Sequence, residues 1–411
     1  MNATVGHARH VGYFAPFRNL FLARILTVSG NAIAPIALAF AVLDIGGSAA
    51  DLGMVVASRS VFNVAFLLLG GVLADRYSRN KVLLCSSLIA ALSQGMVAWW
   101  VLDGSATIIG LMILGTINGA AAGIALPASS ALVPQTVPAQ HLRQANAFIQ
   151  LGVYAGTVAG ASLGGILVGA LGPGWGLVVD ALGFAVSAPF YFCLRIDAAE
   201  TATPRIHILQ ELRDGWKEFI ARAWVWSVVV QFTVVNAAFS GVVMVLGPVV
   251  ADASIGRTGW GMSVAAQSMG LIAGSFIALR WRPRRDMLIG VILVALCALP
   301  ALLLGMDFST PMLMGAFFLA GVGFGQFGVV WAHYLQTHIP ADKLARVYAW
   351  DAMGSFVAIP FGELAAGPLA IHFGSQPVLL ACAVAVLTAT GVTSLVPAIR
   401  QLSDTAQMKS L

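Results

Sequence analysis

The chain has 411 residues, of which 59% are hydrophobic and only 9% are charged, and its formal net charge is +5. A soluble domain uses about a quarter of its residues as charged ones, so this composition excludes an ordinary soluble enzyme. Apolar stretches of roughly 20 residues, the length of a helix that crosses a bilayer, recur from Phe17 to Pro397. The chain is therefore predicted to be an all-α membrane protein.

Charged or turn-rich segments divide the apolar stretches into twelve predicted membrane spans, which leave no room for a separate soluble domain. In chain order they lie near Phe17–Leu43, Leu52–Ala74, Val82–Leu102, Thr107–Ala128, Ala145–Leu171, Trp175–Leu194, Trp224–Val250, Trp260–Trp281, Met287–Leu304, Met312–Leu335, Val347–Phe373 and Val378–Pro397.

Lysine and arginine fall almost wholly in the segments that follow the even-numbered spans. The opposite loops carry several acids and a single basic residue, Arg257. By the positive-inside rule, both termini and the connection Arg195–Arg222 are predicted to be cytoplasmic, in a multi-pass protein of the cell (inner) membrane. The net positive charge is then a topology signal, and no nucleic-acid partner is expected.

A shift of 202 residues aligns the chain with itself, placing PAQHLRQANAFIQLG (138–152) over PADKLARVYAWDAMG (340–354). In the same register Gly119, Gly123, Gly160, Gly165 and Gly172 match Gly321, Gly325, Gly362, Gly367 and Gly374. The repeat predicts two six-helix bundles, residues 1–196 and 223–411, related by a pseudo-twofold axis along the membrane normal, with a cavity between them. The linker, residues 197–222, is predicted to hold an amphipathic helix at the cytoplasmic interface over Ile208–Arg222.

The loop between the second and third predicted spans, GGVLADRYSRNK, resembles the signature loop of the major facilitator superfamily, written loosely as G-x-L-x-D-R-x-G-R-[RK]. The residues that carry the match are Gly71, Leu73, Asp75, Arg76 and Arg79. The resemblance implies a twelve-helix fold and a conformational latch, in which Asp75 faces the N-terminus of helix eleven near Lys343–Arg346. The alternative is a hydrophilic turn that only anchors the topology.

The fifth predicted span carries GTVAGASLGG, which resembles the G-x-x-x-G-P-x-x-G-G motif of antiporters in this superfamily, with Ala161 in place of its proline. The motif glycines are Gly156, Gly160, Gly164 and Gly165. Small residues at every fourth position also let helices pack closely, so plain packing is the alternative. Residues 126–148 and 334–347 look like the branch that holds macrolide exporters and the enterobactin-type siderophore exporter, which implies export of a small amphiphilic compound.

Ionisable side chains inside membrane spans are costly and by default mark functional sites. Away from the ends of the predicted spans there are five charged residues, namely Arg24, Arg59, Asp180, Asp351 and Glu363. The three acids are the candidates for proton coupling, because a carboxyl group in a low-dielectric site can exchange a proton within the physiological pH range. Glu363 is favoured, since the repeat places it opposite the apolar Ala161. For Asp180 a structural role, or simple access to the interface, is the favoured alternative.

A second set of polar and aromatic side chains is predicted to line the cavity and contact substrate. The set is Arg24, Asn31, Arg59, Asn63, Asn118, Gln231, Asn236, Gln326, Trp331 and Tyr334. Arg24 could instead extend to the headgroups, and helix packing explains many of the others equally well. Arg59, about 12 Å into its helix by the helical rise, should either have a counter-charge or line the cavity.

Together these features predict a monomeric secondary transporter that exports a small amphiphilic compound in exchange for protons by alternating access, with protons and membrane lipids as its other partners. No cofactor is predicted, since the sequence has no phosphate-binding GxxxxGK[ST] loop. No metal site is predicted either, since its four cysteines lack zinc-ligand spacing. The alternatives are proton-coupled uptake, flipping of a lipid-like molecule, and, in a different class, a membrane receptor or enzyme.

Overall fold

The computed structural model describes residues 14–138, 141–194, 208–281, 283–306 and 309–402, and all regular secondary structure in those ranges is helical. The first half contains α1 (Ala15–Asp44), α2 (Ala49–Arg76), α3 (Arg79–Asp103), α4 (Ile108–Leu132), α5 (Leu142–Leu171) and α6 (Pro173–Phe192). A short helix, α7 (Ile208–Ile220), lies between the halves. The second half contains α8 (Ala223–Ser240), α9 (Gly247–Asp252), α10 (Gly256–Arg280), α11 (Asp286–Leu293), α12 (Leu299–Leu304), α13 (Thr310–His338), α14 (Ala341–Phe356), α15 (Ile359–Phe373), α16 (Ser375–Leu395) and α17 (Pro397–Arg400).

Within the described residues, twelve helical segments are long and apolar enough to cross a membrane, which confirms the predicted number of spans. The pairs α8 with α9, α11 with α12, and α14 with α15 each form one span. Because twelve is even, both ends of the described chain lie on the same side of the membrane, which we call the terminal face. The opposite side, the distal face, carries the turns at residues 45–48, 104–107 and 253–255.

Three spans of the second half are interrupted just before a proline. A π-helical turn, Gly241–Leu246, precedes Pro248, and a 3₁₀ turn, Val294–Ala298, precedes Pro300. The predicted continuous helix over 347–373 is wrong in this respect, because α14 ends at Phe356 and α15 begins at Ile359, just before Pro360. Proline has no N–H to donate and its ring crowds the preceding turn, so the interruptions are local consequences of sequence.

The helices form two bundles, as predicted. In the first half α1 packs on α5 and α6, α2 on α4, and α3 on α4 and α6, while in the second half α10 packs on α13 and α8 on α14, α15 and α16. The principal contacts between the bundles are α5 with α10 and α2 with α15. These two pairs correspond to each other under the internal repeat.

The repeat extends to individual close contacts. A Cβ atom on Gly119 would come within 2.1 Å of the Arg59 carbonyl oxygen on α2, and one on its counterpart Gly321 within 2.0 Å of the Gln267 oxygen on α10. Gly165 and Gly367 make the matching contacts between the halves, with Gly261 of α10 and Ala49 of α2. Each half therefore uses the same small residues at the same crossings, which is the physical basis of the pseudo-twofold symmetry.

The predicted amphipathic helix between the halves corresponds to α7. Its residue Trp216 packs on Trp350 of α14 with ring centroids 4.7 Å apart. Glu218 accepts hydrogen bonds from Lys343 of α14 and from Arg222, the latter at 2.5 Å. These two cations, Lys343 first, hold the pKa of Glu218 below its ordinary value. The helix is thus attached to the second bundle.

Candidate functional site

Arg59 of α2 lies at the centre of a buried polar cluster. Its Nε donates to Asn118 Oδ1 of α4 at 3.0 Å, and its Nη2 donates to Asn31 Oδ1 of α1 at 3.3 Å. Two acids, Asp180 and Glu363, lie close enough to interact electrostatically with the guanidinium. The structure thus brings together three of the five ionisable residues that the sequence singled out.

Asp180 of α6 is only 1% exposed, so the alternative that it reaches the membrane interface is wrong. Its Oδ1 has no hydrogen-bond partner among the described residues. Gly30 of α1 provides the space for this side chain, because a Cβ atom there would lie 2.7 Å from Asp180 Oδ1. Arg59 is the charged group that compensates Asp180.

Glu363 of α15 brings the second half into the same cluster. It is 2% exposed, and Ser240 of α8 donates to its Oε1 at 2.6 Å. Its backbone packs on α2, where a Cβ on Gly53 would lie 2.5 Å from the Glu363 carbonyl oxygen. The attraction between Glu363 and Arg59 therefore acts across the contact between the two bundles.

A cavity of about 290 Å³ opens beside this cluster within the first bundle, between α1, α2, α3, α4 and α6. Arg59, Asn31 and Asn63 line one part of it. Arg24 lines another part and donates to Ser129 Oγ at 2.6 Å. Arg24 is thus turned into the bundle, which argues against its extending to the headgroups. The remaining wall is mostly apolar, from residues such as Leu83, Ala121, Leu126 and Phe184, and suits the apolar part of an amphiphile.

Asp351 is not part of the cluster. Trp331 Nε1 of α13 donates to its Oδ2 at 3.0 Å, and Ser355 of the same helix contributes a long hydrogen bond of 3.5 Å. Asn236 Nδ2 of α8 donates to the Ser355 carbonyl at 2.9 Å. Asp351, Trp331 and Asn236 therefore stabilise α14 near its interruption, and none of them lines the cavity of the first bundle.

The remaining predicted cavity residues, Gln231, Gln326 and Tyr334, also lie elsewhere, inside the second bundle. Gln231 donates to Thr390 Oγ1 at 3.1 Å, and the Tyr334 hydroxyl donates to Asp286 Oδ1 at 2.6 Å. Gln326 is fully buried beside Gly290, with no hydrogen-bond partner for its amide among the described residues. The sequence could not distinguish these residues from Asn31 and Asn118. An amide residue inside a span looks the same in the sequence whether its side chain faces a cavity or another helix.

The glycines of the antiporter-like motif make helix contacts. Gly156 and Gly160 pack on Ser29 of α1, Gly164 packs on Ile33, and Gly165 packs on Gly261 of α10. Packing accounts for all four positions, and the contact of Gly165 is made between the two bundles.

The loop motif is described only in part. Gly71, Asp75 and Arg76 lie towards the end of α2, and Arg79 begins α3. The side chains of Asp75 and Arg76, and the surroundings of Gly71, lie outside the described residues, as does the Arg346 side chain. The latch stays a prediction.

Two residues that hold these charged groups were missed by the sequence analysis. Ser129 and Ser240 donate to or accept from Arg24 and Glu363, but serine is too common in membrane spans to be noticed.

A third residue was noticed in the sequence only for its charge. At the distal face Arg257 donates to Asp44 of α1, through Nη1 to Oδ2 at 2.9 Å and through Nη2 to Oδ1, and its Nε donates to Asp252 at 3.1 Å. The sequence singled out Arg257 as the lone basic residue of the distal loops, and its link between the bundles appears only in three dimensions.

Two related six-span bundles, with a cavity and buried charges near the contact between them, are an architecture that many membrane transporters use. The chain belongs to the Major Facilitator Superfamily, whose sequence model matches residues 20–363. It is a multi-pass membrane transporter of that family.

The chain is similar to individual transporters in sequence and in fold. It is 24% identical over 405 residues to the multidrug efflux pump Tap of Mycolicibacterium fortuitum, covering 94% of this chain and 97% of that pump. It is 28% identical over 251 residues to the enterobactin exporter EntS of Escherichia coli, covering 61% of this chain and 58% of EntS. The fold matches a crystal structure of a bacterial homolog of the human lysosomal transporter Spinster, with a TM-score of 0.73, 15% identity, and coverage of 96% and 98% of the two chains.

Proposed function

We propose that the protein exports a small amphiphilic compound in exchange for protons, with its terminal face in the cytoplasm. The observation that carries the proposal is that Glu363, from the second half, is buried within electrostatic reach of Arg59 of the first half. The likeness to Tap and EntS, both named as exporters, supports the direction of transport. The basic loops on the terminal face support the orientation.

In the proposed cycle Arg59 has two alternative partners. In the structure, α2 and α15 pack together and Arg59 attracts Glu363. A hydrogen-bond acceptor of a compound in the cavity, which Arg59 also lines, competes with Glu363 for the guanidinium. That competition weakens the attraction between the halves and favours opening of the distal face.

Protons complete the cycle. Once the distal face is open, Glu363 takes up a proton from outside while the compound leaves. An uncharged carboxyl group then returns to the apolar contact between the halves at a lower electrostatic cost than a charged one. Release of the proton toward the cytoplasm restores the attraction to Arg59. One compound leaves for each proton that enters.

The membrane potential makes this exchange feasible without ATP. A single charge that moves through about 150 mV gains roughly 3.5 kcal/mol. That free energy corresponds to a concentration ratio of between two and three powers of ten.

The test is drug and metabolite susceptibility in a host that lacks its own exporters, comparing the wild type with Glu363→Gln, Asp351→Asn and Asp103→Asn. We expect Glu363→Gln to abolish resistance at unchanged expression, because it removes the exchangeable proton. Asp103→Asn changes an exposed acid at the end of α3 and serves as the control, with resistance near that of the wild type. Normal, protonophore-sensitive efflux by both Glu363→Gln and Asp351→Asn would show that the coupling assignment is wrong.

Everted membrane vesicles test the direction. With an acidic lumen, an exporter accumulates the compound that the susceptibility panel identifies. Accumulation only when the lumen is alkaline indicates proton-coupled uptake instead.

A further inference from the structure

A second concave surface lies near the terminal face of the second bundle, between α7, α8 and α14. This groove has a volume of about 520 Å³ and an almost wholly apolar lining. Phe219 and Ile220 of α7 form one side, Val230 of α8 a second, and Met353 of α14 a third. It is separate from the cavity beside Arg59 and plays no part in the proposed exchange.

The groove begins at the level of the lipid headgroups. Three tryptophans line it, namely Trp216, Trp226 and Trp350, and indole side chains prefer the boundary between headgroups and acyl chains. From there the lining continues along α14 to Gly354 and Val357, where the eleventh span is interrupted. A ligand that fills the groove therefore runs from the membrane surface into the acyl-chain region.

Basic side chains lie at the outer end of the groove. Glu218, next to the lining residue Phe219, is shared by two cations, Lys343 and Arg222. Over residues 208–222 and 341–346 the sequence has five basic and four acidic residues, a net charge of +1. Lys343 and Arg222 are the cations placed beside the groove, and they can attract an anionic headgroup.

The polar content of the lining indicates what kind of molecule fits. Thr233 is the only lining residue with a polar side-chain group other than an indole N–H. Its single hydroxyl proton is already shared between the carbonyls of Gly354 and Val229, each 2.8 Å from Oγ1. Pockets that select drug-like compounds place several polar groups to orient them. A groove that offers only shape and apolar contact suits a hydrocarbon chain.

We propose that this groove binds one acyl chain of an anionic phospholipid, with its phosphate beside Lys343 and Arg222. The chain lies against Gly354 and Val357 and supports the interruption between α14 and α15. Because α15 carries Glu363, the lipid stabilises the element that holds the proton-coupling acid.

The experiment uses the purified full chain in lipid nanodiscs of phosphatidylcholine with a minor fraction of phosphatidylglycerol, followed by native mass spectrometry of the retained lipid. For the wild type we expect phosphatidylglycerol to be retained several-fold above its share in the nanodisc. Val230→Trp fills the groove and should lower the retained phosphatidylglycerol to that share. Arg222→Gln should reduce the preference for phosphatidylglycerol over phosphatidylcholine while lipid is still retained.

Two matched controls accompany these variants. Val392→Trp adds the same bulk to an exposed position on α16, and Arg280→Gln removes an exposed cation at the end of α10; both should behave as the wild type. Met353→Trp, from the opposite wall, repeats the filling test if Val230→Trp does not fold. Equal retention of both lipids by the wild type, or unchanged retention when either wall is filled, would overturn the proposal. Displacement of phosphatidylglycerol by an exported compound would assign the groove to cargo instead.

Discussion

Arg59 interacts with two amides and two acids in the core of the described structure. Its cluster contains one guanidinium and two carboxyl groups, so a single bound proton makes the cluster neutral. A neutral buried cluster costs far less than one with an uncompensated charge. The arrangement therefore suits a site that exchanges one proton at a time.

Removal of the Arg59 charge tests whether Arg59 compensates the two buried acids. Arg59→Gln leaves Asp180 and Glu363 without a buried cation, and we expect a loss of roughly 3–5 kcal/mol in the free energy of unfolding. Asp180→Asn in the same chain should restore part of that loss, because it removes one of the stranded acids. Denaturation of the purified single and double variants in detergent measures both effects. No recovery in the double variant would show that Asp180 and Arg59 are not coupled.

Gly30 leaves room for the Asp180 side chain of the same cluster, because glycine has no side chain of its own. Gly30→Ala places a Cβ atom 2.7 Å from Asp180 Oδ1 and 3.0 Å from its Cα, so we expect a destabilisation of about 1–3 kcal/mol and reduced efflux. The control is Gly315→Ala on α13, where the added atom meets nothing within 4 Å. That variant should be neutral or slightly stabilising, because alanine favours helix. Equal thermal stability of the two variants would contradict the contact.

At the scale of elements, the interruption between α14 and α15 is held by α8. Thr233 Oγ1 donates to the Gly354 carbonyl and Asn236 Nδ2 donates to the Ser355 carbonyl. Carbonyl groups near the end of a helix lack intrahelical partners and need such donors in a membrane. The same face of α8 continues to Ser240, which holds Glu363. One helix thus supports both the interruption and the acid beyond it.

Thr233→Val removes one of these donors without changing the volume of the side chain much. We expect a destabilisation of about 1–3 kcal/mol, the cost of leaving a buried acceptor unsatisfied. Thr157→Val is the matched control, because the Thr157 hydroxyl donates to the Val153 carbonyl of its own helix, and the described residues show it no acceptor on another helix. Thermal unfolding of the two purified variants measures their loss of stability relative to the wild type. A loss of stability no larger than that of the control would show that the interruption does not need this donor.

At the scale of the whole molecule, the bundles are held together at the distal face. The α5–α10 contact at Gly165 and the α2–α15 contact at Gly367 both lie toward that face. Arg257 of α10, in the second bundle, forms an ion pair with Asp44 of α1, in the first bundle. The Arg257 guanidinium also lies 5.0 Å from the centre of the Phe40 ring of α1. The structure is therefore a state closed at the distal face, and opening requires these contacts to separate.

Arg257→Gln should shift this equilibrium toward opening. A partly exposed ion pair contributes up to about 1 kcal/mol, which corresponds to about a fivefold change in the ratio of open to closed molecules. Distances between spin labels at Ser105→Cys and Gln376→Cys, in a background without the native cysteines, measure the ratio. Asp252→Asn is the control, because Asp252 and Arg257 belong to the same bundle. An unchanged distance distribution in Arg257→Gln would show that the ion pair does not hold the face closed.

The sequence by itself determined the membrane class, the number of spans and the two-bundle repeat. These follow from hydropathy and small-residue spacing, which act along one helix at a time. It also selected Arg59, Asp180 and Glu363, because a charge inside a span is costly wherever it points.

Only the tertiary structure decided which of these charges share a site. Asp180 and Glu363 are 183 residues apart in the chain, and their meeting at Arg59 depends on how α15 packs on α2 and how α6 packs on α1 and α3. Helix packing also decides that Asn31 and Asn118 accept hydrogen bonds from Arg59, whereas Gln231 and Gln326 lie inside the second bundle. A side chain's neighbours are set by helix crossings, and those crossings result from the packing of both bundles together.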